Sequence, residues 1–470
     1  MQLEPKKIDI SPNSQIHLIG IGGSGMSGIA RGLINKGLLV SGSDLKKTSV
    51  TEELSSLGVE IMYGHSEKNV AIADIVVVSS AIPQSNPELL KAIQMRSPIY
   101  QRAEILNWLM TDFSSRGVVA GTHGKSTTTI MITKILETAG LNPSYIVGAN
   151  RLDTKTNAAI NSGDTFIVEG DESDGSILCY DATDLVITNL EEEHMSYYKT
   201  TENLMLHFQK VMQRVIDNKG TLFINEDDSN TVSLIEKEWQ SQAQFFSLTK
   251  GKGLYAENIQ FLPEGTSFDL YEKGSRLETI FMKTQGYHNV CNALAAIQFS
   301  RHRGISLETI VQGLSVFYGA NRRLEQVGFE KDILVYDDYA HHPTEITTTL
   351  NGAKNVTKGR LICIFQPHRF SRTQELFSEF VHSFSDADWL ILTDIYPANE
   401  PPIEGIHSEK LRDSVKEQYP QLLVDYFSQE EALLKDVIPK LKAGDVLVTM
   451  GAGNIGDLAH AIADQLSGSC

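Results

Sequence analysis

The chain has 470 residues, 41% of them hydrophobic and 21% charged, which is the composition of a globular protein with room for about three domains. Its formal net charge of −18 opposes binding to a nucleic-acid backbone, so an anionic ligand needs a local positive site. The four cysteines form no CxxC pair, the N-terminus lacks a signal-peptide core, and no run reaches the ~20 apolar residues of a membrane span, so we expect a cytoplasmic protein.

Residues 1–113 alternate strand-like and helix-like segments, beginning with the strand IHLIG, the helical GMSGIARGLINKG and the strand LLVSGSD. A later segment, DIVVVSSAI, reads as a buried strand that ends in polar residues. Such alternation predicts a parallel sheet with helices on its faces. TDFSSRG, residues 111–117, is predicted to be a linker to the next domain.

The first glycine turn, Gly20–Gly25 (GIGGSG), follows the first strand, precedes the first helix and fits the pattern G-x-G-x-x-G. Glycines let the backbone approach a diphosphate, and a helix N-terminus offers unpaired N–H groups. Asp44 lies 19 residues beyond Gly25, about where an acid would contact a ribose. The pattern predicts a site for NAD, FAD or another diphosphate nucleotide. The alternative is a tight turn without a ligand.

The second glycine turn, VVAGTHGKSTTT, opens a second α/β block at Val118. Its Gly124-Lys125-Ser126 segment is the reactive end of a P-loop, in which the lysine meets the β- and γ-phosphates and the hydroxyl meets Mg²⁺. Val119 replaces the first glycine of the usual P-loop pattern. The alternative is a lysine at an ordinary helix start.

Two acidic runs follow strands of this block, in FIVEGDESD and TNLEEEHMSYY. Clustered carboxylates repel one another unless they cap helices, face water or hold a cation. Because a P-loop precedes both runs, Mg²⁺ is the predicted partner, and a solvated loop is the alternative. The residues concerned are Glu169, Asp171, Glu172, Asp174, Glu193 and His194. Residues 245–285 are predicted to form antiparallel strands and turns.

The third block begins near Ala320 and has four strands that each run into a loop: DILVYDDYAHHP, GRLICIFQPHR, ADWLILTDIYP and DVLVTMGAGNIGDL. Loops at the carboxyl ends of the strands carry the ligands in open α/β sheets. Arg369 and Arg372 lie three residues apart in one such loop and could both face one carboxylate or phosphate. Unpaired surface arginines are the alternative.

Taken in order, these segments resemble the ATP-dependent Mur ligases of bacterial peptidoglycan synthesis over essentially the whole chain. The resemblance rests on HLIGIGGSGMSGIA, SSAIPQSNPE, GTHGKSTTT, EGDESD, TNLEEEHM, HNVCNALAA, NRRLE, DDYAHHPTE, FQPHRFSRT and GAGNIGDL. It implies an α/β fold of three domains, each built on a mostly parallel sheet with flanking helices. These are a Rossmann-like UDP-sugar-binding domain at residues 1–113, a P-loop ATP-binding domain with an added antiparallel portion at 114–319, and a Rossmann-like domain at 320–470 that binds the amino acid and closes on ATP.

The resemblance implies an ADP-forming ligase that joins L-alanine to the lactyl carboxylate of UDP-N-acetylmuramate through an acyl phosphate. It implies ATP and Mg²⁺ as cofactors, with two metal ions and with Mn²⁺ as an alternative, and a monomer or weak homodimer. Within the family, the alternative is a recycling ligase that adds a tripeptide to the same UDP-sugar. Outside it, the alternatives are a nicotinamide-dependent oxidoreductase that uses the first glycine turn and a non-catalytic nucleotide sensor.

The family's functional positions carry over residue by residue as further expectations. The UDP-N-acetylmuramate side comprises Gly22, Ser24, Gly25, Asp44, Ser79, Ser80 and Arg102. The ATP side comprises Gly121, Thr122, His123, Gly124, Lys125, Ser126, Thr127, His288, Asn292, Arg323 and Asp338. The amino-acid side comprises Tyr339, His341, Arg369 and Arg372, and the metal ligands are Ser126, Glu169 and His194. The expected catalytic residues are Lys125, His194, His341, Arg369 and Arg372.

Three departures from the family pattern concern the second block. Ser126 stands where threonine is usual, and it keeps the hydroxyl. Glu193 and Ser196 replace the aspartates of the DHMD pattern, so the outer metal shell differs in this chain. Gly170 stands where alanine is usual, which concerns packing alone.

Overall fold

The computed structural model describes residues 8–262 and 264–468, apart from the side chains of Ser24 and Ser196. Cys470 and the residues before Ile8, which entered the sequence analysis, lie outside that range. The chain divides into two compact units. The first runs to Glu257 and includes Leu270–Glu278 and Cys291–Val316, and the second comprises Asn258–Asp269, Thr279–Val290 and the described chain from Phe317 onward.

The N-terminal domain is a five-stranded parallel sheet of order β3-β2-β1-β4-β5. Helices cover both of its faces, so central strands such as IVVV are buried along their whole length. The order reverses between β1 and β4, which makes the loop after β1 the switch point where such sheets bind ligands. The strands are β1 (Gln15–Ile19), β2 (Leu39–Asp44), β3 (Glu60–Tyr63), β4 (Ile75–Val78) and β5 (Ile99–Gln101). The helices are α1 (Ser24–Asn35), α2 (Ser49–Ser56), α3 (Pro87–Met95) and α4 (Arg102–Met110).

The second sheet has ten strands in the order β15-β14-β13-β12-β11-β10-β6-β9-β7-β8. The pairings from β13 to β7 are parallel, and β8 is antiparallel to β7. Its strands are β6 (Ser115–Ala120), β7 (Ser144–Ile146), β8 (Ala158–Ala159), β9 (Thr165–Glu169), β10 (Asp184–Ile187), β11 (Thr221–Asn225), β12 (Ala243–Ser247), β13 (Leu254–Leu262), β14 (Gly265–Glu272) and β15 (Ser275–Met282). Its helices are α5 (Lys125–Thr138), α6 (Met195–Tyr198), α7 (Thr201–Asp217), α8 (Ser229–Ser233), α9 (Tyr287–His302) and α10 (Leu307–Ser315).

Two details of this region correct the sequence interpretation. The predicted linker 111–117 is wrong at its end, because β6 already begins at Ser115, whose buried hydroxyl lies 3.4 Å from Asp184 Oδ2. The predicted antiparallel segment 245–285 is correct only in part. Strand β12 pairs in parallel with both β11 and β13, whereas β14 and β15 are adjacent strands joined by a short turn, a connection that only antiparallel strands allow.

The C-terminal domain has a six-stranded sheet of order β16-β17-β21-β18-β19-β20, parallel except at the edge strand β16. Its strands are β16 (Glu325–Glu330), β17 (Ile333–Asp338), β18 (Leu361–Phe365), β19 (Trp389–Leu392), β20 (Leu423–Tyr426) and β21 (Val446–Met450). Its helices are α11 (Pro343–Lys354), α12 (Phe370–Glu375), α13 (Phe377–His382), α14 (Ser408–Gln418), α15 (Glu430–Val437) and α16 (Ile455–Ser467). Three mostly parallel sheets with flanking helices confirm the predicted fold class.

Within the first unit, helix α1 packs directly on strands β7 and β8 of the second sheet. A Cβ at Gly28 would lie only 3.0 Å from Ala158 Cβ and 3.2 Å from Ile146 Cγ2. A larger residue at this position would push the first glycine turn's helix away from the second sheet. Across the described residues, none of the helices is both long and apolar enough to pass through a bilayer.

Candidate active site

Three loops of the second sheet follow neighbouring strands and carry the predicted ATP and metal residues. Strand β6 leads into the second glycine turn, β9 ends at Glu169, and β10 is followed by the loop that holds His194. These strands lie side by side in the order β10-β6-β9 and are parallel, so their carboxyl ends open onto the same edge of the sheet. The topology therefore brings together residues that are up to 73 positions apart, from Gly121 to His194.

The second glycine turn leads directly into helix α5, which begins at Lys125. Gly124 precedes it in a left-handed conformation, with φ of 83°. A Cβ at this glycine would overlap Asn292 Oδ1. Both features require glycine, and they place buried Asn292, a predicted ATP-side residue, against the turn.

The Lys125 ammonium group is held by three acceptors. Its Nζ donates to the carbonyl oxygens of Gly121 and Thr122 at 2.6 and 2.9 Å and to Glu172 Oε1 at 2.8 Å. Burial alone would lower the pKa of Lys125, but the carboxylates of Glu172 and Glu169 raise it above its usual value. The lysine is therefore a fixed positive charge at a helix N-terminus, the arrangement that binds phosphate.

Glu169 lies beside this turn and accepts hydrogen bonds from two directions. Its Oε2 accepts from the Ser126 hydroxyl at 2.8 Å and from the Gly148 backbone N–H at 2.7 Å. The structure thus brings together two of the predicted metal ligands, Ser126 and Glu169. Carboxylate and hydroxyl oxygens are the donors that Mg²⁺ prefers.

His194 lies near two acidic side chains of the same edge. Its Nε2 is 3.6 Å from Glu172 Oε1 and 3.7 Å from Glu193 Oε2. Burial lowers the pKa of His194, but the nearby carboxylates of Glu172 and Glu193 outweigh burial and raise it. Its backbone is left-handed, with φ of 59°, at the start of α6.

These residues fit a divalent cation. Ligand atoms of Glu172, Glu193 and His194 lie within 4.8 Å of one another. Glu172 is 3% exposed, and its Oε2 is buried without a hydrogen-bond partner among the described residues. A buried carboxylate oxygen without a partner is costly unless a further ligand uses it.

Arg151 ties the loop that contains Gly148 to helix α5. The side chain is 1% exposed and donates to both Glu137 oxygens, at 2.5 and 2.7 Å, and to Asp153 at 2.8 and 3.0 Å. Asp153 also accepts from Lys134 at 3.0 Å. Glu137 and Lys134 lie on α5, so the helix that begins with the P-loop lysine also anchors the loop that orients Glu169.

The first glycine turn has a different environment. The Gly22 N–H donates to Asp44 Oδ2 at 2.9 Å, so the acid contacts the turn itself. A Cβ at Gly25 would lie 2.6 Å from Arg102 Nη1, and Arg102 Nη2 donates to Asp171 Oδ2 at 2.9 Å. Arg102 therefore links the turn to the second sheet.

A cavity of about 420 Å³ lies beside this arginine. Its lining includes Ser80 and Arg102 from the N-terminal domain and Asp174 and Tyr197 from the second sheet. Two predicted UDP-sugar residues thus share one cavity. Ser79 precedes Ser80 in the sequence and is half-buried. Its carbonyl accepts a hydrogen bond from the Ile82 N–H at 3.1 Å.

Within the second unit, Asp338 is buried and its carboxylate caps backbone N–H groups. It accepts from Leu324 at 2.6 Å and from Ala340 at 2.7 Å. Burial raises its pKa to about 6, against the lowering effect of Arg323. The acid thereby fixes the segment before β16, which carries Arg323, against the loop after β17, which carries Tyr339; the Arg323 guanidinium lies 5.3 Å from the Tyr339 ring.

The predicted amino-acid residues follow β17 and β18: Tyr339 and His341 lie in the loop after β17, whereas Arg369 caps helix α12 and Arg372 lies within that helix and not in a loop as predicted. His341 Nδ1 is 2.9 Å from the Tyr339 carbonyl, and its ring lies 6.0 Å from that of His368. Burial, reinforced by Arg372, lowers the pKa of His368 to about 4, so the neutral ring accepts a hydrogen bond from Arg372 at 3.1 Å. The side chain of Arg369 is exposed at the start of α12.

His288, predicted on the adenine side, lies at the start of α9 in the second unit. Burial and the charge of Arg323 lower its pKa to about 4. It is therefore a neutral ring at neutral pH, able to stack or to hydrogen-bond with an uncharged base.

Sequence reasoning did not single out several residues of this site. Glu172 was named only as one of four clustered acids, and His368 only as part of a quoted motif. Arg151 had no sequence signal, because its partners on α5 are identifiable only from the fold. The contact from Asn189 Oδ1 to the His123 N–H, at 2.9 Å, was likewise missed.

Comparison with known proteins agrees with this geometry. Three family models match successive parts of the chain: "Mur ligase family, catalytic domain" at residues 15–114, "Mur ligase middle domain" at 119–299 and "Mur ligase, glutamate ligase domain" at 322–453. These ranges cover most of the chain.

Relatives match at full length. The UDP-N-acetylmuramate–L-alanine ligase of Geotalea uraniireducens is 41% identical, over 97% of this chain and 98% of the relative. The protein of the same name from Geobacter sp. strain M21 is 42% identical, over 94% of this chain and 95% of the relative.

Two solved structures are similar over nearly the whole chain. The UDP-N-acetylmuramate-alanine ligase of Thermotoga maritima matches with a TM-score of 0.82 and 26% identity, covering 97% of this chain and 100% of that one. A murein peptide ligase from Psychrobacter arcticus matches with a TM-score of 0.67 and 23% identity, covering 97% and 99%. From these matches over most of its length, the chain belongs to the Mur ligase family.

Proposed function

We propose that this chain is an ATP-dependent, ADP-forming ligase that joins L-alanine to the lactyl carboxylate of UDP-N-acetylmuramate in peptidoglycan biosynthesis. The relatives that are 41–42% identical over nearly the whole chain carry the name of that activity. The structural observation that carries the proposal is the ammonium of Lys125, which three acceptors hold at a helix N-terminus beside Ser126 and Glu169.

The reaction has two steps. A lactyl carboxylate oxygen attacks the γ-phosphorus of ATP, the bond to the bridging oxygen breaks, and ADP leaves. The alanine amine then attacks the carbonyl carbon of the acyl phosphate, phosphate leaves with the bonding electrons, and the nitrogen loses a proton. Phosphoryl transfer requires mainly positioning and charge compensation from the protein, and Lys125 supplies both at the terminal phosphates.

We propose two Mg²⁺ or Mn²⁺ ions, one held beside the P-loop by Ser126 and Glu169 and a second held by His194. When bound, such a cation would compensate negative charge on the phosphates. Gly148 orients Glu169 through its backbone N–H. Asn292 packs against the turn at Gly124, where a side chain would not fit.

The segments after β17 and β18 supply the proposed alanine site. Arg369 and Arg372 would hold the alanine carboxylate, with Tyr339 and His341 beside them. His368 supports this assignment, because as a neutral acceptor it orients Arg372 without cancelling its charge. We also propose that the enzyme acts in the cytoplasm, where ATP is available, as a monomer or weak homodimer.

The domain limits 1–113, 114–319 and 320–470 remain part of this proposal. The tripeptide ligase is less favoured, because the full-length relatives at 41–42% identity are named as alanine ligases. The oxidoreductase is not favoured either, because the first glycine turn belongs to a ligase family in this chain.

An ADP-release assay tests the proposal directly. Purified protein with ATP, Mg²⁺ and UDP-N-acetylmuramate should release ADP when L-alanine is added, and much less with the tripeptide. Omission of the UDP-sugar should abolish the signal. Release that needs the tripeptide would favour the recycling ligase, and nicotinamide absorbance changes during turnover would favour the oxidoreductase.

A further inference from the structure

Glu172 is a buried acid that lies between two positive groups, the Lys125 ammonium and a candidate cation site. Its Oε1 accepts from Lys125 Nζ at 2.8 Å and lies 3.6 Å from His194 Nε2. The same carboxylate belongs to the cluster with Glu193 that is compact enough for a cation. One carboxylate thus lies between the phosphate-binding lysine and the candidate cation site.

The Lys125 ammonium group has no donor left for a phosphate. It has three N–H bonds, and Gly121, Thr122 and Glu172 accept one each. A triphosphate must therefore displace at least one of them. Glu172 is the acceptor that a phosphate repels, since both are anions, whereas the two carbonyl oxygens belong to the turn itself.

The backbone of Glu172 is fixed by hydrogen bonds, whereas only one of its two carboxylate oxygens has a hydrogen-bond partner among the described residues. Its carbonyl accepts from the Tyr198 hydroxyl at 2.6 Å and from the Gly175 N–H at 3.0 Å. Oε2, in contrast, is buried without a partner among the described residues. The backbone of Glu172 is therefore held in place, and Oε2 is the carboxylate oxygen that could bind a cation.

We propose that Glu172 acts as a latch that exchanges Lys125 for a divalent cation when ATP binds. Without nucleotide, Glu172 holds the lysine in the turn. When the phosphates take over the lysine, the freed carboxylate contributes to the cation site with Glu193 and His194. The inference rests on the proposed function and adds to it a residue that couples binding of the nucleotide to binding of the cation.

The latch predicts opposite effects on two equilibria in the variant E172Q. ATP affinity in EDTA, measured by calorimetry, should rise roughly tenfold, because the lysine is no longer held by an anion. Mn²⁺ affinity of the ATP-loaded protein, measured from the free-Mn²⁺ EPR signal against a reference with ATP alone, should fall about tenfold or more, because the freed carboxylate is lost as a ligand. A residue that only supported the fold would weaken both.

E193Q is the charge-matched control for the ATP titration, because it removes an acid from the same cluster without touching the lysine contact. It should change ATP affinity less than about twofold. Equal gains in E172Q and E193Q would overturn the latch and leave only general repulsion, and unchanged or weaker ATP binding by E172Q would also overturn it.

E172D provides a second test if E172Q does not fold. Its carboxylate keeps the charge but is shorter by one methylene group, so it should release Lys125 and bind ATP in EDTA more tightly than wild type. An unchanged affinity would overturn the latch. A wild-type chain that binds no ATP at all would instead overturn the proposed function, so the two failures are distinguishable.

Discussion

Two buried carboxylates of the first unit, Glu88 and Glu172, differ in how fully they are satisfied. Glu88 accepts from the Ser43 hydroxyl at 2.6 Å, the Asn69 amide at 2.5 Å and the Ser66 N–H at 3.2 Å, with His17 Nε2 at 3.4 Å. Glu172 accepts on one oxygen only, among the residues that the structure describes.

The difference separates a structural acid from a functional one. The Ser43 carbonyl accepts from Gly20 and Ile21, so Glu88 supports the first glycine turn from below and needs nothing further. Glu172 lies beside the second glycine turn, and its Oε2 has no hydrogen-bond partner among the described residues. Both side chains are buried, so the number of satisfied lone pairs, and not burial, distinguishes the two roles.

The largest expected effect comes from the lysine that Glu172 holds. K125A should lower the rate of ADP release by at least ~10²–10³-fold, because it removes a preorganised charge that compensates the phosphates. K210A, which removes an exposed lysine of α7, is the control and should retain activity. A K125A enzyme with near-normal turnover would mean that the second turn does not bind the reacting triphosphate.

Substitution of Glu88, the acid that supports the first glycine turn, should lower the stability of the fold and leave the catalytic rate unchanged. Burial raises the pKa of Glu88, but hydrogen bonds from His17, Ser43 and Asn69 outweigh it and lower the pKa from 4.5 to about 2. Its stabilisation is therefore complete above pH 4.5 and is lost as the pH falls towards about 2.

E88Q should accordingly cost about 3 kcal/mol of unfolding free energy at pH 7, the equivalent of that pKa difference. Urea denaturation at several pH values measures it, and the variant should lose less stability than wild type between pH 5 and pH 2. Equal acid sensitivity of both proteins would contradict the assignment.

Alanine substitutions at two glycines compare the second glycine turn, where Gly124 is crowded, with the turn at Gly58, where there is open space. G124A and G58A both place a Cβ on a left-handed residue, with φ of 83° and 93°, but only Gly124 has a neighbouring atom in the way. Both should lose about 1 kcal/mol of stability from backbone strain. Only G124A should also weaken ATP binding, and calorimetry that finds equal affinities would contradict the contact with Asn292.

The smallest effect is expected for Arg151, which anchors the loop whose Gly148 N–H binds Glu169. R151K keeps the charge but loses the bidentate geometry to Glu137. The Mg²⁺ concentration for half-maximal activity should rise several-fold, with little change in rate at saturating Mg²⁺. R116K, which changes an arginine that binds the Asp181 and Phe113 carbonyls, is the matched control and should leave the Mg²⁺ dependence unchanged.

Much of the fold could be predicted from local patterns. The two strand–glycine–helix segments and the acids at strand ends depend on residues close in sequence, and the alternation of elements fixes the parallel sheets. The linker error arose because SSRG is polar and contains glycine, whereas burial between Asp184 and the neighbouring strands makes Ser115 part of β6.

The partnerships within the site could not be predicted in the same way. Glu172 meets Lys125 from 47 positions away, and Arg151 meets Glu137 across a helix and a loop. Nothing in the acidic run EGDESD indicates which carboxylate points toward the lysine and which toward Ser126. Those orientations depend on the strand order and on the backbone conformation of each loop.

The three protein acceptors around Lys125 also bear on inhibitor chemistry. An uncharged adenosine mimic gains nothing from the ammonium, because it offers no better acceptor than the groups already present. A competitor that carries an anionic group into the turn would recover that interaction, but it would have to expel the glutamate first. Potency against this enzyme should therefore depend on a compound's charge at the phosphate position more than on how well it imitates the base.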